Sequence, residues 1–437
     1  MSLAAVNGNN RRGKAALFLL FCSCAGAIPH WIEPTRNLFP AISLAVLLGG
    51  YGLRVVLRDR DKSFEKTQIV SSELLDKQEL PSVDVLVAAR DEETVVENLV
   101  KRLNSIKYPA DKISFWLIDD GSEDKTASLL EKSIKELPNF HLLKRLRNDG
   151  GGKSGALNHA LTYLKNDWLL VLDADAQLQA DVLWRIILFA EKNQWSALQL
   201  RKAVINSKRN LLTCFQSMEM AMDAAIQRGR LKGGGVVELR GNGQLIERRV
   251  LEKCGGFNEA TVTDDLDLSF RLLISGASIG ILWDPPIQEE AVETWPDLIK
   301  QRQRWAEGGL QRFFDYWPQL ISNKLDFTKR KDLACFFLLQ YAIPLVSFFD
   351  LVISLLTRTF PTYWPLSFVA LSVSGLAYWK GCARSSEGPE IPQPQPIRLI
   401  LAMFYLLHWF IVIPLVTVRM SFLPKKLIWS KTIHQGN

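Results

Sequence analysis

Histidine is scarce in this sequence. Five residues among 437, scattered along the chain, leave no cluster from which a histidine-based metal site could be built. The six cysteines, at 22, 24, 214, 254, 335 and 382, show no zinc-type spacing, and several fall in or near apolar stretches, so they read as reduced and structural. No internal repeat is evident. Nothing resembles a nucleic-acid-binding module, which leaves the net charge of +7 to anionic lipid head groups or a diphosphate ligand, with no nucleic acid expected as partner. The segment Gly150-Gly151-Gly152-Lys153-Ser154-Gly155 joins flexible backbone to a cation, as a phosphate cradle requires. It lacks the P-loop's four residues between the first glycine and Gly-Lys-Ser/Thr, which disfavours a nucleotide triphosphatase.

Long apolar runs are present, and they are unevenly spread. Hydrophobic residues make up 48% of the chain, yet its mean hydropathy is +0.03, a balance that fits a soluble domain joined to membrane segments. Residues 38–57, 333–357, 360–379 and 399–418 are each apolar enough to cross a bilayer, which takes roughly 20 residues. A shorter stretch, Ala15 to Ile28, follows Arg11, Arg12 and Lys14. It reads either as a signal-peptide core, with Ala25, Gly26 and Ala27 near a cleavage site, or as half of a membrane hairpin with Trp31 at the interface. The second apolar segment follows closely, which favours the hairpin. With Arg11, Arg12 and Lys14 on one flank and Arg54, Arg58, Arg60 and Lys62 on the other, both hairpin ends and the domain between the apolar regions are expected in the cytoplasm.

The expected organisation is therefore an N-terminal hairpin (1–60), a cytoplasmic catalytic domain with interfacial helices (80–330) and a C-terminal membrane region of about three segments (331–437). Three crossings would put the tail outside, whereas Arg419, Lys425, Lys426 and Lys431 favour the inside, so one segment is expected to be re-entrant or interfacial. Asp350 and His408, polar residues within apolar stretches, are expected to pair helices. The proline-rich run 389–396 reads as an extended loop.

Between the apolar regions, strand patterns alternate with helical ones. Val83 to Ala89, Ile113 to Ile118 and Trp168 to Leu172 are apolar runs that end at Arg90-Asp91-Glu92-Glu93, Asp119-Asp120-Gly121-Ser122 and Asp173-Ala174-Asp175. Helical spacing follows at Thr94 to Leu103 and Lys125 to Leu137. The alternation predicts an α/β domain with a parallel sheet, whose ligands bind at the carboxyl ends of the strands, where these acidic segments would converge.

Each motif has its own chemistry. The pair Asp173 and Asp175 can present two carboxylates to a hard divalent cation that also takes phosphate oxygens. Asp119 and Asp120 offer acceptors to a nucleobase or ribose, although helix capping by Ser122 or Asp124 is the blander reading. Thr263-Asp264-Asp265-Leu266-Asp267 precedes a helical stretch, Leu268 to Ile274, so a carboxylate there either favours the helix start or acts as a general base. On a helix entered after Pro296, Gln301, Arg304 and Trp305 share one face. Trp295, Phe313, Phe314, Tyr316 and Trp317 make the same segment read as an amphipathic interfacial helix.

Taken in order, Asp-Asp-Gly-Ser, Lys-Ser-Gly-Ala-Leu-Asn, Asp-Ala-Asp, Thr-Asp-Asp and Gln-x-x-Arg-Trp resemble the membrane-embedded members of glycosyltransferase family 2 over about residues 80–320. The resemblance implies a GT-A type, Rossmann-like domain flanked by transmembrane helices, a UDP-sugar donor, Mg2+ or Mn2+, and inversion at the anomeric carbon. It assigns Asp119 and Asp120 to uridine, Lys153 to the diphosphate, and Asp173 and Asp175 to donor and metal. Asp265 becomes the catalytic base, and Gln301, Arg304 and Trp305 hold the diphosphate and acceptor. Two departures stand out: Thr263-Asp264-Asp265 where many relatives have Thr-Glu-Asp, and Ala88-Ala89-Arg90-Asp91-Glu92 where a Pro-x-Tyr/Arg-Asn-Glu pattern is usual.

The acceptor is inferred from architecture. Polysaccharide synthases of the family carry a larger membrane region for a polymer channel, and cellulose synthases have a Phe-x-Cys-Gly-type motif where this chain has Gly241-Asn242-Gly243-Gln244. A small bundle suits a membrane lipid that enters sideways. The chain is most similar to the cyanobacterial enzymes of the family that move glucose from UDP-glucose to 1,2-diacylglycerol, with a processive polysaccharide synthase as the alternative. In such a host the enzyme would be an integral, multi-pass protein of the cell or thylakoid membrane.

Overall fold

The structure is a computed structural model that describes residues 10–32, 38–59 and 80–423. Arg60 and Lys62, expected beside the hairpin, and Lys425, Lys426 and Lys431, expected on the tail, lie outside them.

Two apolar helices come first, α1 (Arg11–Ala27) and α2 (Phe39–Arg58). The domain then alternates strand and helix: β1 (Val83–Ala89), α3 (Val96–Asn104), β2 (Ile113–Asp119), α4 (Thr126–Ile134), β3 (Phe140–Lys144), α5 (Gly152–Leu161), β4 (Trp168–Leu172), α6 (Val182–Lys192) and β5 (Ala197–Val204). It continues through α7 (Leu211–Lys232), β6 (Gln244–Glu247), α8 (Arg248–Lys253), α9 (Asp264–Ile274), β7 (Ile279–Glu289) and α10 (Trp295–Ile321). The last helices are α11 (Phe327–Phe337), α12 (Ile343–Thr357), α13 (Trp364–Cys382), α14 (Pro396–Leu406) and α15 (Trp409–Phe422).

Among the described residues, seven strands form one sheet in the order β3-β2-β1-β4-β6-β5-β7. β1 and β4 are buried along their whole length, as central strands covered on both faces must be. Ala89 pairs with Asp119 and Val87 with Leu172, so β1, β2 and β4 end along one edge and bring their acidic segments together. One strand departs from the expected parallel pattern. Short β6 runs antiparallel to both β4 and β5, with Val171 opposite Gln244. A reversed strand starts where its parallel neighbours finish, so the Arg240–Gly243 turn before β6 arrives at the same edge as Asp173.

Apolar layers cover both faces of the sheet. Val85, Val87, Leu99, Ile186 and Ile187 pack on one side. On the other, Leu86, Ile118, Leu169, Ala221 and Trp283 form a layer that continues into Tyr378 of α13 and Tyr405 of α14. The domain and the apolar helices thus share a core.

Among the described residues, four helical segments are long and apolar enough to cross a membrane: Arg11–Trp31, Phe39–Arg58, Phe327–Thr357 and Pro396–Phe422. Phe21, Val46, Leu47, Leu356 and Phe404 on these segments are large, apolar and exposed, as lipid-facing side chains are. The stretch expected at 360–379 forms α13, which is not among the four; Lys380 and Gly381 lie near its end, and Gly381 packs against the Ala221 backbone of α7. Asp350 pairs helices as expected. It accepts from His30 Nε2 at 2.9 Å and from the Thr362 and Tyr363 amides at 2.9 and 3.0 Å. His408 instead sits at the break between α14 and α15, with Nδ1 2.6 Å from the Tyr405 carbonyl oxygen.

Candidate active site

At the carboxyl edge of the sheet lies a cavity of about 870 Å³. Asp173 and Asp175 enter its wall from the end of β4, where the chain leaves the sheet. The Asp173 amide donates to Asn242 Oδ1 at 3.1 Å, and its carboxylate pairs with Lys153. Lys153 is delivered by three successive glycines, Gly150, Gly151 and Gly152, whose φ values of +74°, +71° and +54° are open to few other residues. The turn they make starts α5, so Lys153 stands at a helix N-terminus, where exposed N–H groups favour an anion. Burial lowers the proton affinity of its ammonium, but Asp173, Asp264 and Asp265 together outweigh that and raise it. Asn158, last residue of the Lys-Ser-Gly-Ala-Leu-Asn motif, braces the neighbouring loop: it donates to the Phe257 carbonyl oxygen and accepts from the Phe257 amide, both at 2.8 Å.

Asp264 and Asp265 open α9, which starts four residues earlier than the sequence reading placed it, with Thr263 at its N-cap. Carboxylates in a helix's first turn are stabilised by its dipole, so favouring the helix start and facing the cavity are compatible. Burial and the neighbouring Asp264 charge push the Asp265 carboxyl up to about 6, while the Leu266 amide, Lys202 and Arg240 pull the other way. A carboxylate balanced there is ionised at neutral pH and still holds a proton well, as a general base should. Asp267 belongs to the scaffold. It accepts from Arg271 Nε at 2.7 Å, the Tyr316 hydroxyl at 2.9 Å and Asn258 Nδ2 at 3.0 Å.

On α10, Gln301, Arg304 and Trp305 line the cavity together, as their spacing predicts. The intervening Arg302 is fully buried and points to Glu219 of α7, to which the Tyr405 hydroxyl also donates at 2.7 Å. Its guanidinium lies 4.0 Å from the Trp305 ring centre, a cation–π contact that orients the indole. Burial lowers the proton affinity of the Arg304 guanidinium; Asp173, Asp265 and Asp264 oppose the shift without cancelling it.

The cavity wall contains Lys153, Asp173, Asp175, Asp265, Gln301, Arg304 and Trp305, but neither Asp119 nor Asp120. Both are buried beside it. Asp119 accepts from the Ser122 amide at 3.3 Å, and Asp120 is held by Arg145 and, at 3.5 Å, by Arg90. Arg90, Asp91, Glu92 and Arg147 form that end of the wall instead. Lys125, not Ser122 or Asp124, stands at the N-cap of α4, and its side chain makes no capping bond; Asp124, one residue earlier, accepts from the Thr126 amide at 2.9 Å, and Ser122 Oγ accepts from the Asp91 amide at 2.9 Å.

Several wall residues carry no motif. Lys202 of β5 pairs with Glu289 of β7 at 3.0 Å and lies 6.0 Å from the Trp305 ring centre. Arg240 bonds Asp223 at 2.9 Å and Glu238 at 3.1 Å. Against burial, which pushes it up, Arg312, Arg240 and Arg230 hold the Glu238 carboxyl down at about 2. The available signal was the charge of Arg201 and Lys202 inside an apolar run. Among the described residues, no group of three or more His, Cys, Asp or Glu is arranged to hold a metal.

Residues 81–308 match the model of the glycosyltransferase-like family 2. The chain belongs to that family. A β-monoglucosyldiacylglycerol synthase of Synechocystis sp. is 42% identical over 359 residues, spanning 81% of this chain and 75% of the relative. One from Nostoc sp. is 38% identical over 430 residues, 98% of this chain and 90% of the relative. A poly-β-1,6-N-acetyl-D-glucosamine synthase of Staphylococcus epidermidis is 27% identical over 276 residues, 61% of this chain and 63% of that protein. Among solved structures, a mannosyltransferase from Pyrobaculum calidifontis in complex with GDP-Man and Mn2+ superposes with a TM-score of 0.56 at 17% identity, covering 87% of this chain and 98% of that one. The fold is therefore that of a GT-A glycosyltransferase, carried beside apolar helices, and the chain is a hexosyltransferase.

Proposed function

We propose that this enzyme transfers glucose from UDP-glucose to the free hydroxyl of 1,2-diacylglycerol, with inversion, giving a β-glucosyl lipid. The carrying observation is a single cavity that joins Asp265, Lys153 and Arg304 to Phe336 and Trp409 on apolar helices. The identity of 38–42% with β-monoglucosyldiacylglycerol synthases supports the choice of sugar and acceptor.

One displacement suffices. The acceptor oxygen forms a bond to the anomeric carbon as the bond from that carbon to the diphosphate oxygen breaks, and UDP leaves with the electron pair. Asp265 takes the hydroxyl proton; Lys153 and Arg304 stabilise the charge gathering on the diphosphate. Trp305, fixed by Arg302, packs on the acceptor, and Gln301 holds the donor. Arg90 and Arg147, supported by Asp120 and Asp91, form the nucleotide end of the cavity. Asp173 and Asp175, two carboxylates in the cavity wall, would hold a divalent cation of the Mg2+ or Mn2+ type. When bound, it supplies positive charge beside the diphosphate.

The places where the helix ends are tied support a reading of the membrane arrangement. Arg11 bonds Asp315, and Asp59 after α2 pairs with Arg228 at 3.2 Å, so both outer ends of the hairpin meet the domain. At the far end, His30 lies 2.6 Å from the Thr359 hydroxyl. α13 leads back: Tyr363 donates to the Ala25 carbonyl oxygen at 3.1 Å and Lys380 to the Val56 carbonyl oxygen at 2.7 Å. α14 and α15 touch α10 twice, through Tyr405 beside Arg302 and Arg419 beside Glu307. We read them as the re-entrant or interfacial pair. On that reading the end of α15, with Arg419, lies on the cytoplasmic side.

The test is purified enzyme with labelled UDP-glucose, UDP-galactose or UDP-N-acetylglucosamine, and with diacylglycerol, ceramide or no lipid. The expected product is a monoglucosyl lipid from UDP-glucose and diacylglycerol alone. Polymer formed without lipid would overturn the reading in favour of a processive synthase, as the Staphylococcus relative's name describes for that protein.

A further inference from the structure

The apolar rod Phe327–Thr357 contains a π turn, Leu338–Ala342, between α11 and α12. Its cause is in the sequence. Pro344 lacks the N–H that an α-helix would donate to the Gln340 carbonyl four residues back, so the helix widens there. Gln340 and Tyr341 of the widened turn stand in the wall of the active-site cavity, in company with Phe336 and Trp409. Gln340 is half-buried, and among the described residues its carboxamide has no hydrogen-bond partner.

We propose that the Gln340 carboxamide is a specificity-determining group for the lipid acceptor, donating an N–H to an ester carbonyl of its glycerol backbone. The proposal rests on the lipid-acceptor reading above. With the acceptor hydroxyl turned toward Asp265, the polar atoms left on a diacylglycerol are ester oxygens, which only accept hydrogen bonds. Phe336 and Trp409 offer apolar surface to the acyl chains, and Gln340 supplies a donor among them. A carboxamide has two N–H groups to give, and leaving them dry and unpaired is costly. The site therefore favours a ligand carrying carbonyls at that depth over an equally apolar one without them.

The test compares wild type with Gln340→Leu and Gln340→Met on dioleoylglycerol and on its dialkyl ether counterpart, in vesicles. For the ester lipid, KM should rise roughly three- to tenfold in both variants, the loss of one neutral hydrogen bond. For the ether lipid, KM should be the same in all three proteins. Lipid-free hydrolysis of UDP-glucose and the KM for UDP-glucose should not change, which separates a lost contact from a damaged fold. An unchanged KM for the ester, or an equal rise for ester and ether, would overturn the role of Gln340. Failure of wild type to glucosylate either lipid, with donor hydrolysis intact, would remove the acceptor reading and this proposal with it.

Discussion

A β-carbon placed on Gly308 would stand 2.0 Å from the Thr263 hydroxyl oxygen. Gly308 lies on α10, one turn past Arg304, and Thr263 is the N-cap of the helix that carries Asp264 and Asp265. The absent side chain lets α9 and α10 pack closely enough to set Asp265 and Arg304 in one cavity wall. Gly308→Ala should force Thr263 aside, an overpacking of about 1–3 kcal/mol. We expect kcat to fall roughly 10- to 100-fold from misplacement of the reacting groups, with little change in UDP affinity. Steady-state kinetics and UDP calorimetry check this, and an unchanged kcat would mean that the contact relaxes without moving α9.

The pH profile should report Asp265. As the proposed base it can take a proton only when ionised, so kcat should fall about tenfold per unit as pH drops below about 6. Lys202 holds that proton affinity down, so Lys202→Met should move the acid limb to higher pH, whereas Lys202→Arg should leave it in place. Asp265→Asn should abolish transfer across the range while UDP still binds. A limb that ignores Lys202 would assign the titration to another group.

Metal dependence should reside in the carboxylates that end β4. Asp175→Ala should weaken UDP binding roughly tenfold or more with Mg2+ or Mn2+ present and leave metal-free binding nearly unchanged. Calorimetry with and without the ion separates the cases, and equal loss in both would point to a structural role for Asp175.

The Arg302–Glu219 pair should matter for stability. Glu219→Gln leaves a buried guanidinium without its counter-charge, a loss of about 3–5 kcal/mol. The double variant Glu219→Gln with Arg302→Met removes both charges and should recover part of it. Thermal unfolding in detergent reads the order; a double variant less stable than the single one would show that the Arg302 contact with Trp305 outweighs its pairing with Glu219.

Strand ends and carboxylates were legible because each has a local signature. An apolar run that stops at an aspartate says where a parallel strand finishes, and β1, β2 and β4 finish at or within one residue of the predicted positions. The face shared by Gln301, Arg304 and Trp305 followed from helical spacing alone. What sequence could not reveal is what arrives from elsewhere. β6 is four residues long, too short for a periodic signal, yet its reversal delivers Asn242 to Asp173. Lys202 and Glu289 meet only because β5 and β7 pair. Asp119 and Asp120 end β2 where the apolar run stops, but their partners, Ser122, Arg145 and Arg90, come from flanking loops that the strand pattern does not announce.

The cavity wall that begins at Arg147 and ends at Phe336 and Trp409 also bears on how the enzyme is supplied. On the proposed reading, its nucleotide comes from three-dimensional solution and its lipid from a two-dimensional film. The relevant acceptor concentration is then a surface density, so the rate should follow the fraction of the membrane that is unglycosylated lipid, not the amount in the cell.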